Sequence, residues 1–249
     1  MTDQISNIFA EDATCEKMGE SKSSLISLKE TSQKPWPPAG VKWYYSDDYT
    51  AIAHGDCRDI LPTLEPVDLV LTDPPYNVGM AFGDKTDDSR SDYEQWCEGW
   101  FSMLNTTASL ITPGIANLAM WMKHSPRWIL AWSKANSMKR VTVGFNCWEP
   151  ILLFGKPPCN SYRDLFMAPI AAQKEAVGHP TPKPLLLFKQ LIVGFSNGGD
   201  TVLDIFLGSG TTTLAAKQLG RKAIGIEIEE KYCEIAVKRL AQGVLSFGP

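Results

Sequence analysis

Residues 201–240 constrain the fold more than any other part of this chain. Residues 201–206 form an apolar run, Thr-Val-Leu-Asp-Ile-Phe, of the length and composition of a buried strand. A glycine turn, Gly208-Ser209-Gly210, follows, then a helical stretch at 211–219, a second apolar run at 223–228 and a helix at 229–240. Strands alternating with helices point to a mainly parallel sheet, whose neighbouring strands need such crossovers. Upstream the same alternation recurs. Strands are expected at 50–56, 67–73, 115–122, 141–145 and 149–156, with a short aromatic hairpin at 41–49. Helices are expected at 92–105, where Tyr93, Trp96, Cys97, Trp100, Phe101 and Leu104 keep helical spacing, and at 184–195, with Pro184 in its first turn. The chain therefore reads as an α/β domain with a mostly parallel, doubly wound sheet over residues 41–249. Residues 1–40, rich in Ser, Lys and Glu and ending in Pro35-Trp36-Pro37-Pro38, read as a polar tail outside it.

Composition removes several function classes. The apolar share of 44% is ample for a core, and no uninterrupted apolar run is long enough to span a bilayer. The amino terminus lacks the basic start and apolar stretch of a signal peptide. Six scattered cysteines (Cys15, Cys57, Cys97, Cys147, Cys159, Cys233) form no C-x-x-C pair, so reduced thiols in a cytoplasmic protein are expected, with no metal site.

Three ligands compete for the glycine turn. A dinucleotide fingerprint needs a third glycine where Thr213 stands, and a triphosphate loop needs a lysine where Thr211 stands. A nucleoside cofactor with its charged end over the turn remains. Glu227 ends the next strand seventeen positions after Gly210, well placed to accept from both hydroxyls of an unphosphorylated ribose. Asp204, just before the turn, can face a cation. Adenine, a free ribose diol and a cationic amino-acid tail together describe S-adenosylmethionine. Phe206, Gly208, Ser209, Gly210 and Thr211 are its expected cradle, at a helix amino terminus.

Asp73-Pro74-Pro75-Tyr76 closes the 67–73 strand. The prolines fix φ and remove two donors, which makes a stiff loop with the Pro74 carbonyl free to accept. Asp73 is a second acceptor, and Tyr76 offers a face to a flat ring. The set suits chemistry on an aromatic amine. By itself the tetrapeptide is equally compatible with a plain Pro-Pro turn.

Asp-Pro-Pro-Tyr together with D-x-F-x-G-x-G resembles the paired motifs of DNA methyltransferases that modify exocyclic amines. The amine motif precedes the cofactor loop by 135 positions, Asp73 to Gly208, an order similar to the circularly permuted β-group. His54-Gly55-Asp56-Cys57, the segment His179-Pro180-Thr181-Pro182-Lys183-Pro184, Trp148-Glu149-Pro150-Ile151-Leu152 and Gly220 to Glu227 fit the same family, its smaller phage-like members especially. The resemblance implies a Rossmann-like sheet of seven strands, with the Asp73 and Asp204 strands adjacent. It implies Asp56 near the cofactor adenine, Lys183 on the cofactor side, and Asp73, Pro74, Pro75 and Tyr76 as the catalytic set. Its substrate is double-stranded DNA with the target base flipped out. The aspartate at the first motif position leans towards adenine N6 over cytosine N4. A homodimer and a companion restriction nuclease are compatible with the resemblance, and neither is required by it. A catalytically silent DNA-binding module is the rival from another class, opposed by intact Asp73 and Tyr76.

Net charge is −4, but its distribution is uneven. Residues 45–94 hold twelve acids and three bases, whereas 117–163 hold seven bases and one acid, Glu149. Lys123, Arg127, Lys134, Lys139 and Arg140 are the candidate phosphate contacts. The stretch 79–178 leaves no room for a large recognition domain, so short loops near 80–90 and 122–140 are expected to read the bases. His54 and His179 are expected to be structural, and Trp96, Trp100, Trp121, Trp128 and Trp132 to serve mainly as core.

Overall fold

The computed structural model describes residues 35–86, 88–134, 136–137, 140–141, 144–158, 163–170 and 178–242. Nine strands form one mixed sheet. In chain order its strands are β1 (Trp43–Ser46), β2 (Thr50–His54), β3 (Leu69–Thr72), β4 (Ala108–Ile111), β5 (Trp128–Ser133), β8 (Trp148–Gly155), β9 (Leu165–Met167), β10 (Thr201–Asp204) and β11 (Lys222–Glu227). The two-residue strands β6 (Arg140–Val141) and β7 (Gly144–Phe145) pair only with each other. Across the sheet the order is β1-β2-β11-β10-β3-β4-β8-β5-β9. The run from β2 to β4 is parallel throughout; β1 is antiparallel to β2, and β8 is antiparallel to both β4 and β5.

Nine strands stand where seven were expected, because the aromatic segment at Trp43 and the segment Leu165–Met167 add one strand at each edge. Two internal expectations also change. Residues 115–122 hold no strand; α3 (Leu118–Trp121) lies there, and the strand is the earlier Ala-Ser-Leu-Ile of β4. The helix keeps Trp121 fully buried, which an alternating strand reading does not explain. Trp128–Ser133, not read as a strand, pairs along its whole length with β8. Trp36, on the tail side of the expected boundary, packs on the domain and donates its indole N–H to the Asp47 carbonyl at 2.8 Å.

The period-two alternation of the strands sorts the core into two layers. Leu69, Leu71, Leu110, Ile151 and Val202 face α4 (Leu185–Phe195) and α5 (Thr211–Gln218). Val70, Ile111, Leu152, Leu203 and Ile224 face α1 (Cys57–Ile60), α2 (Tyr93–Phe101) and α3. α6 (Glu230–Gln242) buries Cys233, Ala236 and Leu240 against Ile52, Leu207 and Leu214. Val202 pairs with Leu69, so β10 and β3 are neighbours, as expected. After β10 the chain passes to the α5 layer, and after β3 to the α2 layer. This is a topological switch point, where ligands bind beyond the carboxyl ends of the strands.

Candidate active site at the switch point

A cavity of about 530 Å³ opens at this edge. It is lined by both the loop after β3 and the loop after β10. The Asp73 carboxylate is held from three sides. Its Oδ1 accepts from the Tyr76 hydroxyl at 2.8 Å and from Thr112, just past β4. Its Oδ2 accepts from Lys183 Nζ at 2.6 Å. The Pro75 carbonyl accepts from the Tyr93 hydroxyl at 2.7 Å, which fixes the loop to α2. Gly114 has φ of +70°, and a Cβ there would stand 2.8 Å from the Tyr76 ring. Lys183 Nζ lies 5.0 Å from the centroid of the same ring, within cation–π range. Glu149 Oε2 lies 3.3 Å from the Tyr76 hydroxyl, whose one hydrogen the two carboxylates share, with Asp73 the nearer. Burial, with Asp73 and Glu149 beside it, pushes the Tyr76 hydroxyl well above its ordinary pKa.

On the other side, Asp204 accepts from Thr72 Oγ1 at 2.7 Å, from the Phe206 amide at 3.1 Å and from Thr212. Burial raises its pKa to about 6 against those bonds. Glu227 accepts from the Gly208 amide at 2.7 Å and the Glu229 amide at 2.8 Å, and burial raises it to about 7. Phe206 packs against Trp96 and Trp100, with ring centroids 5.4 and 5.3 Å away. Asp56 caps α1 through the Arg58 amide and pairs with the Arg58 guanidinium at 2.6 Å.

The glycine turn divides its work. Gly208 lines the cavity, but Gly210 is not among the lining residues. A Cβ on Gly210 would stand 2.7 Å from the Ala236 Cβ of α6, and its φ is +80°. Gly210 therefore lets α5 and α6 close on each other. Ser209 and Thr211 line the cavity while their hydroxyls are held by buried Arg239, at 2.8 and 3.1 Å. Lys183 also lines the cavity, where its ammonium pairs with the Asp73 carboxylate.

The expected phosphate contacts scatter. Lys134 is buried, with its side chain 6% exposed, and pairs with Glu149 at 2.7 Å inside the cavity wall. It cannot meet a backbone phosphate at the surface. Lys123 is exposed and paired with Glu94. Arg127 is exposed but sits two positions before Ile129, which the register aligns through Leu152 and Ile111 with Thr72; it lies on the amino side of the site's row. Arg140 stacks over Phe145 in the β6–β7 hairpin. Lys139 lies outside the described residues.

Several site residues were not read from sequence. Thr112 follows a short strand with no motif. Glu149 carried a signal, as the lone acid in a basic stretch, that was not used. Asp88 accepts from the amides of Asn77, Val78 and Met80 at 2.6, 3.1 and 2.7 Å and shapes the loop after Asp73-Pro74-Pro75-Tyr76. Glu229 accepts from the Lys85 and Thr86 amides at 2.5 and 2.9 Å, and Tyr232 donates to the Phe82 carbonyl, so that loop is strapped to α6 across the cavity. His54 bonds the Ile228 carbonyl at 3.1 Å, and His179 packs on Tyr232 with its pKa pushed by burial down to about 4. Trp100, Trp121 and Trp132 are core, Trp96 is partly buried, and Trp128 is exposed.

No described helix is long and apolar enough to cross a membrane. Residues 128–238 match the DNA methylase family of N6 and N4 enzymes. The type II methyltransferase M.HinfI of Haemophilus influenzae is 30% identical over 81% of this chain and 71% of its own length. The DNA adenine methyltransferase YhdJ of Escherichia coli K12 is 28% identical, covering 79% of this chain and 84% of the relative. The solved complex of M1.HpyAVI with S-adenosylmethionine superposes with a TM-score of 0.59 at 28% identity, over 77% of this chain and 98% of that one. The Asp73 loop and the glycine loop meet at one switch point, and these relatives place the chain in the family of N6/N4 DNA methylases, enzymes that draw on S-adenosylmethionine.

Proposed function

We propose that the chain methylates the N6 amine of an adenine flipped out of double-stranded DNA, with Asp73, Pro74 and Tyr76 as the amine clamp. The observation that carries this is the position of the Asp73 carboxylate. It stands at the end of β3, beside β10 and its cofactor loop, with Tyr76 at its flank. The adenine relative YhdJ and the aspartate at the head of the motif favour adenine over cytosine N4. The amine motif before the cofactor strand supports the permuted β-group order.

The cavity fits S-adenosylmethionine. Glu227 and Asp204 are buried carboxylates lining it, and their hydrogen bonds within the chain leave each with acceptor capacity for a hydroxyl or a cation. Glu227 would take the ribose hydroxyls, Phe206 and Asp56 the adenine side, Asp204 and the Gly208 turn the amino-acid tail. When bound, the cofactor supplies the methyl group.

The residues of the chain do the rest. An exocyclic amine is conjugated with its ring and is a weak nucleophile. Asp73 and the Pro74 carbonyl accept its two hydrogens and draw the nitrogen towards tetrahedral geometry. Positive charge grows on that nitrogen in the transition state, so these fixed acceptors help more there than in the ground state. Lys183, Thr112 and Tyr76 keep the carboxylate in one orientation. Flipping costs a few kcal/mol. Stacking on Tyr76 returns ~1–3 kcal/mol of it.

Asp73→Asn tests the clamp without stranding Lys183 beside an alanine. Long-read sequencing of DNA from cells expressing the wild-type chain should show N6-methyladenine in one sequence context. The variant should leave none while binding S-adenosylmethionine within a few-fold of wild type. N4-methylcytosine in its place would overturn adenine, and near-normal methylation by the variant would overturn Asp73.

A further inference from the structure

One part of the cavity wall is not used by the mechanism above. Beyond Tyr76, on the side away from the glycine loop, lie Trp132, Lys134, Ser137 and Glu149, all lining the same cavity. Trp132 and Glu149 are cross-strand partners on β5 and β8. Lys134 follows β5, and the Ser137 amide donates to its carbonyl at 3.0 Å, so a turn presents both side chains together.

Three observations mark this wall as a ligand site. Lys134 is an ammonium withdrawn from solvent, with three donors. Among the described residues its hydrogen-bond partner is Glu149, at 2.7 Å, which uses one of them. Ser137 is 6% exposed, and its hydroxyl has no hydrogen-bond partner among the described residues. Buried polar groups in native proteins are nearly always satisfied, so an orphan hydroxyl on a cavity wall points to a missing ligand. A buried ion pair is also poor evidence of a stabilising role, since apolar residues often serve stability as well. Here Glu149 and Asp73 share the one Tyr76 hydroxyl hydrogen, at 3.3 and 2.8 Å, so the pair adjoins Asp73 through that hydroxyl.

We propose that Lys134 is a specificity-determining residue of the methyl-transfer site: its ammonium, oriented by Glu149, donates a hydrogen bond to a ring nitrogen of the flipped base, and the Ser137 hydroxyl shares that edge. This rests on the flipped-base reading above. Glu149 neutralises Lys134, so the pair offers donors without net charge. That matches a neutral heteroaromatic ring with acceptor nitrogens and disfavours a phosphate, which the carboxylate would repel. Glu149 is a positioning residue, acting through Lys134 and Tyr76.

The test pairs protein variants with altered duplexes. The duplexes carry the context found by sequencing, with the target adenine replaced in turn by its 1-deaza, 3-deaza and 7-deaza forms. Each replacement removes one ring acceptor. Wild type should lose kcat/KM by about tenfold or more on one of the three, the size expected for one hydrogen bond to a charged donor. Lys134→Met should lose as much on normal adenine and nothing further on that analogue, with the loss in KM and duplex affinity and not in cofactor affinity. Ser137→Ala strands no charge, so it serves if Lys134→Met does not fold. It should weaken duplex binding several-fold, again with cofactor affinity unchanged. Equal penalties for all three analogues in wild type and Lys134→Met, or an unchanged KM in Ser137→Ala, would overturn the proposal. Methylation of the normal duplex by wild type keeps the flipped-base reading standing in that event, whereas its absence removes that reading first.

Discussion

Cofactor affinity should rise about tenfold between about pH 6 and about pH 8, and Glu227 sets the slope. Its carboxylate is 7% exposed at the end of β11, and burial outweighs the Gly208 and Glu229 amides to hold its pKa at about 7. A carboxylate accepts from hydroxyls far better than a carboxylic acid does. With a pKa of about 7, roughly a tenth is ionised at about pH 6 and nine-tenths at about pH 8, which is the tenfold. Asp204, at about 6, adds to the lower part of the window, while His179, at about 4, does not titrate within it. Stability runs the other way. The folded pKa of Glu227 is raised above the ordinary value of 4.5, so the folded state keeps a proton that the unfolded chain has released. That contribution is complete below about pH 4.5, is lost as pH climbs through about 7, and amounts to about 3 kcal/mol. The cofactor-free protein should thus weaken in urea over the same range in which binding tightens. Isothermal titration with S-adenosylmethionine at steps across the window, on wild type and Glu227→Gln, reads the binding slope. A flat wild-type profile, or a slope that survives in Glu227→Gln, refutes the ribose role.

Gly210→Ala forces a left-handed φ on alanine, ~1–2 kcal/mol, and drives its methyl into Ala236, another ~1–3 kcal/mol. Urea unfolding should show a loss of about 2–5 kcal/mol, and a loss below about 1 kcal/mol would return Gly210 to the ligand side. Glu229→Ala removes the acceptor of the Lys85 and Thr86 amides, so limited proteolysis within residues 78–90 should quicken several-fold; unchanged cleavage would mean that the strap is held by Tyr232 and Asp88 alone.

What could be read from the sequence was local. The segment from β10 to α6 was legible because each strand is a continuous apolar run and the glycines mark the turn between strand and helix. Residues 115–122 misled because Ile-Ala-Asn-Leu-Ala-Met-Trp-Met is largely apolar with only Ile115 β-branched; Ala, Leu and Met favour a helix, and that stretch holds α3. β4, only four residues of Ala-Ser-Leu-Ile, offers no alternation to detect. In the site, Asp73 and Glu227 stand out at the ends of apolar runs, and Asp204 as the one charge within the run 201–206. Their partners do not. Lys183 reaches Asp73 across 110 positions, and Lys134 meets Glu149 only because β5 and β8 are antiparallel in the register that pairs Trp132 with Glu149. Basicity counted along the chain could not tell a lysine turned inward from one turned outward.

The sheet order explains why the two halves of the cavity differ in charge. Four consecutive parallel strands, β2, β11, β10 and β3, run into Asp56, Glu227, Asp204 and Asp73 at their carboxyl ends. The next three present Thr112 past β4, Glu149 near the start of antiparallel β8, and Lys134 past β5. A row of carboxylates is unfavourable alone, and Asp73 and Asp204 each raise the pKa of a neighbour. A cationic cofactor laid along the row removes that cost, so binding and ionisation reinforce each other. The neutral Lys134–Glu149 pair has no such demand and accepts an uncharged ring. Asp73 stands at the border, the one carboxylate shared by both halves and tied to a lysine. Charge at that border is where an amine turning into an ammonium needs it, and the cation that already occupies Oδ2, Lys183, must yield or share its place when the amine arrives. Replacing Lys183 by methionine should therefore reveal its effect in kcat for methyl transfer more than in cofactor affinity, a split that an equal loss in both would contradict.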